Sequence, residues 1–324
     1  MANISDLTIK SSQSGFGVFM KKIPAAIARE IKKNWELYLF CIPGLILIAV
    51  FNYVPMFNGI LLAFKKYMPK LGINGSPWIG FSNFEKFFSS YNFLLYLKNT
   101  LRLSFYSLLV GFPAPIIFAI MVNEVSHRKF KKFVQTVSYA PNFISVVVIV
   151  GMLKLFFDDQ GIVNNIIDLI GGARVNFNLK VANFPHMYVW SGIWQGLGYS
   201  AIIYIAALSN VDPQLIDAAR IDGASKVQRI WHIEFPVLIP TMTIMLIFAL
   251  GGIMGVAFEK VLLMQTPLNL EYSEVIATYV YKVGIINSQY SFSAAVGLFN
   301  SVVSFVLLIF FNFLAKRVSE TSLW

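Results

Sequence analysis

Apolar residues dominate this chain in long blocks. Six stretches of 18 or more residues lack Asp, Glu, Lys and Arg: Leu37–Phe64, Leu103–Asn123, Phe133–Leu153, Val181–Val211, Phe235–Phe258 and Val283–Ala315. A helix that crosses a bilayer needs about 20 mostly apolar residues. In hydrocarbon the backbone must satisfy its own hydrogen bonds, so such stretches are helices. The pattern therefore predicts an all-α, polytopic membrane protein with six transmembrane helices. A membrane β-barrel would alternate polar and apolar residues over segments of about 10, and no such alternation occurs.

Composition agrees. Of 324 residues, 57% are hydrophobic and 13% are charged, against about 25% charged in an ordinary soluble domain. That excludes a typical cytosolic enzyme. The net charge of +10 is read as topology rather than nucleic-acid binding. With both termini cytoplasmic, fifteen of the 26 Lys and Arg fall on the inner side, the sign of the positive-inside rule. The single cysteine, Cys41, excludes a disulfide framework or a Cys-based metal site.

Residues 1–34 are basic and show no cleavable signal. They form a cytoplasmic N-terminal segment, in which Ile23, Ala26, Ile27 and Ile31 at helical spacing make a candidate amphipathic helix on the membrane surface. The first outer loop, about residues 58–98, carries Trp78, Phe81, Phe84, Phe87 and Phe88. These are interface anchors or a docking surface for an external partner.

Signatures of bond chemistry are absent. There is no phosphate loop, so the chain should not hydrolyse ATP itself. His127, His186 and His232 are scattered and read as solvated or interfacial. Residues 196–201 fit a dinucleotide pattern, but they lie inside an apolar stretch and serve helix packing. Gly251 and Gly255 form a GxxxG in the fifth span, which permits close helix approach.

The informative segment is the loop at 210–236. Asp212 is a good N-cap and Pro213 suits the first helical position. Gly223 is placed to end that helix with φ > 0. Ser225 and Gln228 form a capping box that starts a second helix, which Pro236 is expected to end. A simple link between spans needs only a few residues, so a structured loop of this length points to a docked protein.

Asp217-Ala218-Ala219, three residues, Gly223, nine residues, then Ile233-x-Phe235-Pro236 resembles the EAA loop of permease subunits in binding-protein-dependent ABC importers. The family pattern has Glu where this chain has Asp217 and Leu where it has Phe235. The setting of Asp212-Pro213 and Ile221-Asp222-Gly223-Ala224 is similar to the carbohydrate branch. Trp78-Ile79-Gly80-Phe81 resembles the lead-in to the permease core, Pro141-Asn142-Phe143 resembles positions of the same carbohydrate branch, and the best likeness is to the LplB-like, polysaccharide-importing group. The likeness covers about residues 35–324, the six-span permease domain.

The resemblance implies a MetI-like permease fold in a bacterial cytoplasmic membrane. It implies a coupling helix at 213–223, with Asp217, Ala218, Ala219, Arg220, Asp222, Gly223, Ile233 and Pro236 as the ATPase-coupling residues. The implied partners are a second, homologous permease subunit, two ATPase subunits that hold ATP and Mg, and an extracytoplasmic solute-binding protein. No cofactor is expected on this chain. The expected cargo is an oligosaccharide. The alternatives are an ABC permease for another solute (an amino acid, phosphate or peptide) and a stand-alone secondary transporter, whose interrupted helices in repeated halves are not evident.

A sugar has an apolar face that stacks on aromatics and hydroxyls that need polar partners. Substrate-path candidates are therefore Tyr139, Asn142, Trp190, Trp194, Gln195, Tyr199, Asn300 and Ser304. Trp190 and Trp194, at i and i+4, share a helix face. Lys154, Glu259 and Lys260 are expected at the outer ends of spans.

Overall fold

A computed structural model describes residues 33–178 and 180–318. The candidate amphipathic helix at 23–31 lies outside them. The chain forms two compact units, Met1–Leu61 and Leu62–Trp324. Among the described residues there is one isolated β-bridge, Lys65 with Trp78, and no strand.

The first unit is described by one helix, α1, which runs Trp35–Ala63 and so reaches just past the unit boundary. No residue from Trp35 to Tyr53 is buried. An apolar helix exposed on all sides is solvated by lipid, not water.

The second unit carries the remaining helices. Apart from short helices at Gly72–Gly75, Ser82–Phe88, Ile162–Leu169 and Leu270–Ser273, they are α2 (Phe93–Asn123), α3 (Arg128–Tyr139), α4 (Val146–Phe156), α5 (Phe184–Leu208), α6 (Pro213–Ile221), α7 (Lys226–Gly251), α8 (Phe258–Met264), α9 (Ile276–Tyr281) and α10 (Tyr290–Val318). Helices α1, α2, α7 and α10 are long and apolar enough to cross a membrane, and α3 with α4 makes a fifth if the bent pair is one span. Helix α5 has 25 residues, about 37 Å at 1.5 Å per residue. It is long enough to span but carries His186, Gln195 and several Tyr and Trp. The protein is thus an all-helical integral membrane protein; among the described residues four helices, or five with the bent pair, meet the apolar length of a span, and α5 is long enough to be a sixth.

Three expectations need correction. The third apolar stretch is not one straight helix: Arg128–Phe143 and Val146–Phe156 meet at 98°. Pro141 cannot donate, so the chain tightens to a 3₁₀ turn over Ala140–Phe143. Ser145 then caps a new helix through its side chain to the Val148 N–H. Next, Pro236 does not end the second loop helix, because α7 runs through it. A π turn at Ile230–Glu234 precedes it, and the Phe235 N–H bonds the Ile230 carbonyl five residues back. The same device sits at Ala49–Tyr53, just before Pro55. Widening the helix relieves the clash a proline makes with the carbonyl four back. Finally, Gly255 lies beyond the end of α7, so only Gly251 acts in helix packing. A Cβ there would come within 2.7 Å of Leu308 on α10.

Gly198 permits a close approach of two helix backbones. A Cβ on it would lie 2.3 Å from the Ser138 carbonyl oxygen of α3. Residues 196–201 therefore serve packing within α5. One apolar core joins α2, α5 and α7 through Ile116, Ala119, Ala201, Tyr204, Leu208 and Leu238. Ile216 and Ile233 pack against it and pin the 210–236 segment to the bundle. In the first outer loop the aromatics pack on one another: Phe64 stacks on Trp78 at 5.6 Å and meets Phe81 edge-on at 5.3 Å.

Candidate functional site

Two regions stand out: an exposed, capped helix and a lined cavity.

The exposed helix is α6. The Asp212 side chain accepts from the Gln214 N–H at 2.9 Å, and Pro213 takes the first helical position. At the other end Gly223 has φ of 75°. The Gly223 N–H bonds the Arg220 carbonyl at 3.1 Å, and the Ala224 N–H bonds the Ala219 carbonyl at 2.9 Å. This is a complete Schellman cap. Arg220 pairs with Asp217 at 3.1 Å on the exposed face, a contact worth little by itself. Beyond the turn, Ser225 and Gln228 complete the capping box. No residue of α6 is buried, and Leu215 and Ile221 stand 56% and 87% exposed. The helix is capped at both ends; Ile216 packs on the core, while Leu215 and Ile221 face outward. Asp217, Ala218, Ala219, Arg220, Asp222 and Gly223 lie together on or beside it. Ile233 packs on the core and Pro236 sits inside α7.

The cavity, of about 1240 Å³, lies between α2, α5, α7 and residues 252–260. Gln195 and Tyr199 line it, with Ser104, Ser107, Ser200 and Lys260. Small groups open the α5 wall: a Cβ on Gly196 would meet only Ser200 Oγ, at 3.9 Å. The Gln195 amide donates to the Ile144 carbonyl at 3.1 Å, so it also ties α5 to the break between α3 and α4.

Lys260, expected at the outer end of a span, is buried. It is 5% exposed. Its Nζ donates to the Tyr188 carbonyl at 3.0 Å and sits 5.1 Å from the centre of that ring. Among the described residues no carboxylate pairs with it within 4.0 Å, the reach of the ion pairs found elsewhere in the chain. Burial holds its ammonium down from 10.5 to about 8. The signal in the sequence was a lysine set in an apolar run, but nothing there separates a snorkelling lysine from one turned into a cavity. Ser104 and Ser107 were missed for the same reason.

The other path candidates are dispersed. Trp190 and Trp194 line a separate, mostly apolar cavity of about 510 Å³ with His186. Trp190 Nε1 donates to the Tyr106 hydroxyl at 3.1 Å, and that hydroxyl meets His186 Nδ1 at 2.9 Å. Tyr139, Asn142, Asn300 and Ser304 line neither cavity.

The chain is thus a helical membrane protein with a lined cavity and a capped, exposed helix on a structured loop. Residues 111–320 match the family described as "Binding-protein-dependent transport system inner membrane component". The chain belongs to that family. It is 40% identical over 308 residues, 95% of this chain and 96% of the other, to the polygalacturonan/rhamnogalacturonan transport system permease protein YteP of Bacillus subtilis (strain 168). It is 39% identical to Protein LplB of the same organism, with 91% and 92% of the two chains covered. Among solved structures it resembles a chain of a bacterial ABC transporter that imports the acidic polysaccharide alginate. The TM-score is 0.83 at 38% identity, covering 91% of this chain and 99% of that one. The alginate transporter solved with an alginate pentasaccharide-bound periplasmic protein gives a TM-score of 0.84. This chain is the permease subunit of a carbohydrate ABC importer.

Proposed function

We propose that this subunit forms half of the path for an acidic oligosaccharide, driven by ATP hydrolysed on separate subunits. The observation that carries this reading is Lys260, a buried cation with no carboxylate partner in the wall of the 1240 Å³ cavity. A sugar carboxylate passing Ser104, Ser107 and Tyr199 would supply the missing charge, while hydroxyls and ring faces meet the serines and the tyrosine. A buried ammonium costs several kcal/mol unless paired, so Lys260, in a cavity that Glu259 also lines, is the group that would favour an anion over a neutral sugar. The relatives named for polygalacturonan and the acidic polysaccharide alginate support the same class of cargo.

On this reading α6 seats in a cleft of an ATPase subunit. A second, homologous permease completes the path, a solute-binding protein delivers the sugar outside, and both termini lie in the cytoplasm of a bacterial cell. Two ATPase subunits hold ATP and Mg; this chain binds no cofactor.

The test is uptake by the reconstituted complex of galacturonate oligomers against neutral glucose oligomers of equal length. Lys260→Met is expected to lower galacturonate uptake roughly tenfold, the size of one charge-assisted hydrogen bond, and to leave any neutral uptake unaffected. Equal handling of acidic and neutral oligomers by the unaltered complex would remove the acidic reading.

A further inference from the structure

The loop that carries α6 grips the cavity-lining helix α2 through a polar contact. Glu124 is the C-cap residue of α2, its N–H bonded to the Ile120 carbonyl. Arg229, 105 residues further on, stands just after the Ser225 capping box. Its Nη2 donates to Glu124 Oε2 at 3.4 Å, and its side chain is 7% exposed. Lys226 reaches the same oxygen only at 4.0 Å and is 72% exposed, so it adds little. Glu234, 2% exposed, brings its carboxyl against Glu124 and Asn123. The buried Arg229–Glu124 contact thus sits beside a second buried acid, Glu234, at the junction of α2 with the base of the loop.

The placement matters because α2 lines the cavity with Ser104, Ser107, Leu108, Gly111, Phe112 and Pro115. Ile216 and Ile233 also touch the core beneath the loop, but apolar contacts are non-directional and permit sliding. A charge-assisted hydrogen bond fixes direction as well as distance. We propose that Arg229 and Glu124 form a clasp that transmits displacement of α6 to α2, and so to the cavity wall. Both are positioning residues; neither touches cargo or nucleotide. The inference rests on the reading of α6 as the segment an ATPase moves.

The experiment avoids any dependence on the sugar. Cys41 is the only cysteine, so Cys41→Ser with Ser107→Cys gives one reporter on the cavity face of α2. The complex with its ATPase is reconstituted, and maleimide labelling at 107 is measured with and without ATP and vanadate. In the parent, trapping the nucleotide changes the labelling rate. In Glu124→Gln and in Arg229→Met that ATP-driven change shrinks about fivefold, the low end of coupling between distant sites, while the ATPase still co-purifies. Arg229→Lys keeps most of it, and the double variant is no worse than either single one. Arg229→Met removes the buried partner of Glu124 and is the variant most at risk of misfolding, so Glu124→Gln carries the test if it does. A full ATP-driven change in Glu124→Gln, loss of the ATPase from that variant, or additive effects in the double variant would each overturn the clasp. A parent that binds no ATPase would instead overturn the reading of α6, and the clasp with it.

Discussion

Gly223 offers the sharpest test of how α6 works. Its φ of 75° lies in the left-handed region, yet a Cβ there would find nothing within 4 Å. Any side chain is therefore strained by its own backbone and not by a neighbour. An L-residue pays roughly 1–2 kcal/mol for that conformation, while Asn visits it readily and a β-branched residue is the worst case. If the residue escapes the strain by leaving this region, the bonds from the Gly223 and Ala224 N–H groups to the Arg220 and Ala219 carbonyls are lost. Each is worth about 0.5–1.5 kcal/mol. Helix α6 has nine residues, too few to hold its shape alone in water, so the whole loss falls on it. A loss of 1.4 kcal/mol is about tenfold in the population of the capped form. The expected order is Gly223→Asn close to the parent, Gly223→Ala several-fold lower in sugar moved per ATP, and Gly223→Val or Gly223→Trp nearly uncoupled. Melting of the bundle in detergent should move little, because no residue of α6 is buried. The measurements are ATPase co-purification and transported sugar per ATP across the series. Asn and Val variants with equal activity would refute the conformational argument, and a large drop in melting temperature would show that Gly223 serves the core instead.

Other outcomes follow from the same geometry. Lys260 is held at about 8 against 10.5, so between those values the unfolded chain binds more protons and stability rises with pH. Below about 8 the buried charge costs the fold roughly 3 kcal/mol. Lys260→Met should therefore melt higher than the parent at pH 7 and lose the rise above pH 8. Galacturonate uptake by the parent should fall as pH climbs through about 8; a flat uptake profile from pH 7 to 9.5 counts against Lys260 as the cation. Gly198→Val should fail to give a monodisperse protein, because its Cβ would strike the Ser138 backbone at 2.3 Å. Gly196→Ala should melt like the parent, and size-exclusion profiles separate the two. Trp194→Ala should leave uptake within about twofold while Tyr199→Ala lowers it, because only Tyr199 lines the larger cavity; a reversed order would move the path.

Much of this was legible in the sequence because it depends on local rules. The helical bundle follows from runs without charge, and both caps of α6 follow from Asp212, Pro213 and Gly223, which act within a few residues of themselves. The 98° bend was hidden because an apolar window registers hydrophobicity and not direction. Pro141 and Ser145 mark it only once a break is allowed inside a span. Pro236 misled for a related reason: whether a proline stops a helix depends on whether the preceding turn can widen, and nothing in Ile230–Glu234 announces a π turn. The cavity was the least legible part. Which face of α5 it meets depends on the close approach of α3 at Gly198, so Gln195 and Tyr199 face it while Trp190 and Trp194 face another space.

Charge is scarce here, and its buried members share a location. Arg229 and Glu234 sit where the loop meets α2. Glu274, 8% exposed, bonds Lys282 at 2.6 Å and accepts from Thr278 at 2.8 Å, close to where the Asn99 amide of α2 reaches the Glu271 and Glu274 carbonyls. Lys260 sits where residues beyond α7 fold against α5. Each lies at a joint between elements, not within an isolated apolar helix. A buried ion pair is a poor source of stability compared with well-packed apolar residues, so stability alone does not account for these. A joint that must move as a unit needs directional contacts that apolar packing cannot supply. Helix α2 has such a contact at each end, Asn99 at one and Glu124 at the other, and the cavity lies between them. Replacing Glu124 and Arg229 together with apolar residues of similar volume should cost the bundle little stability, but the cavity wall should no longer follow α6.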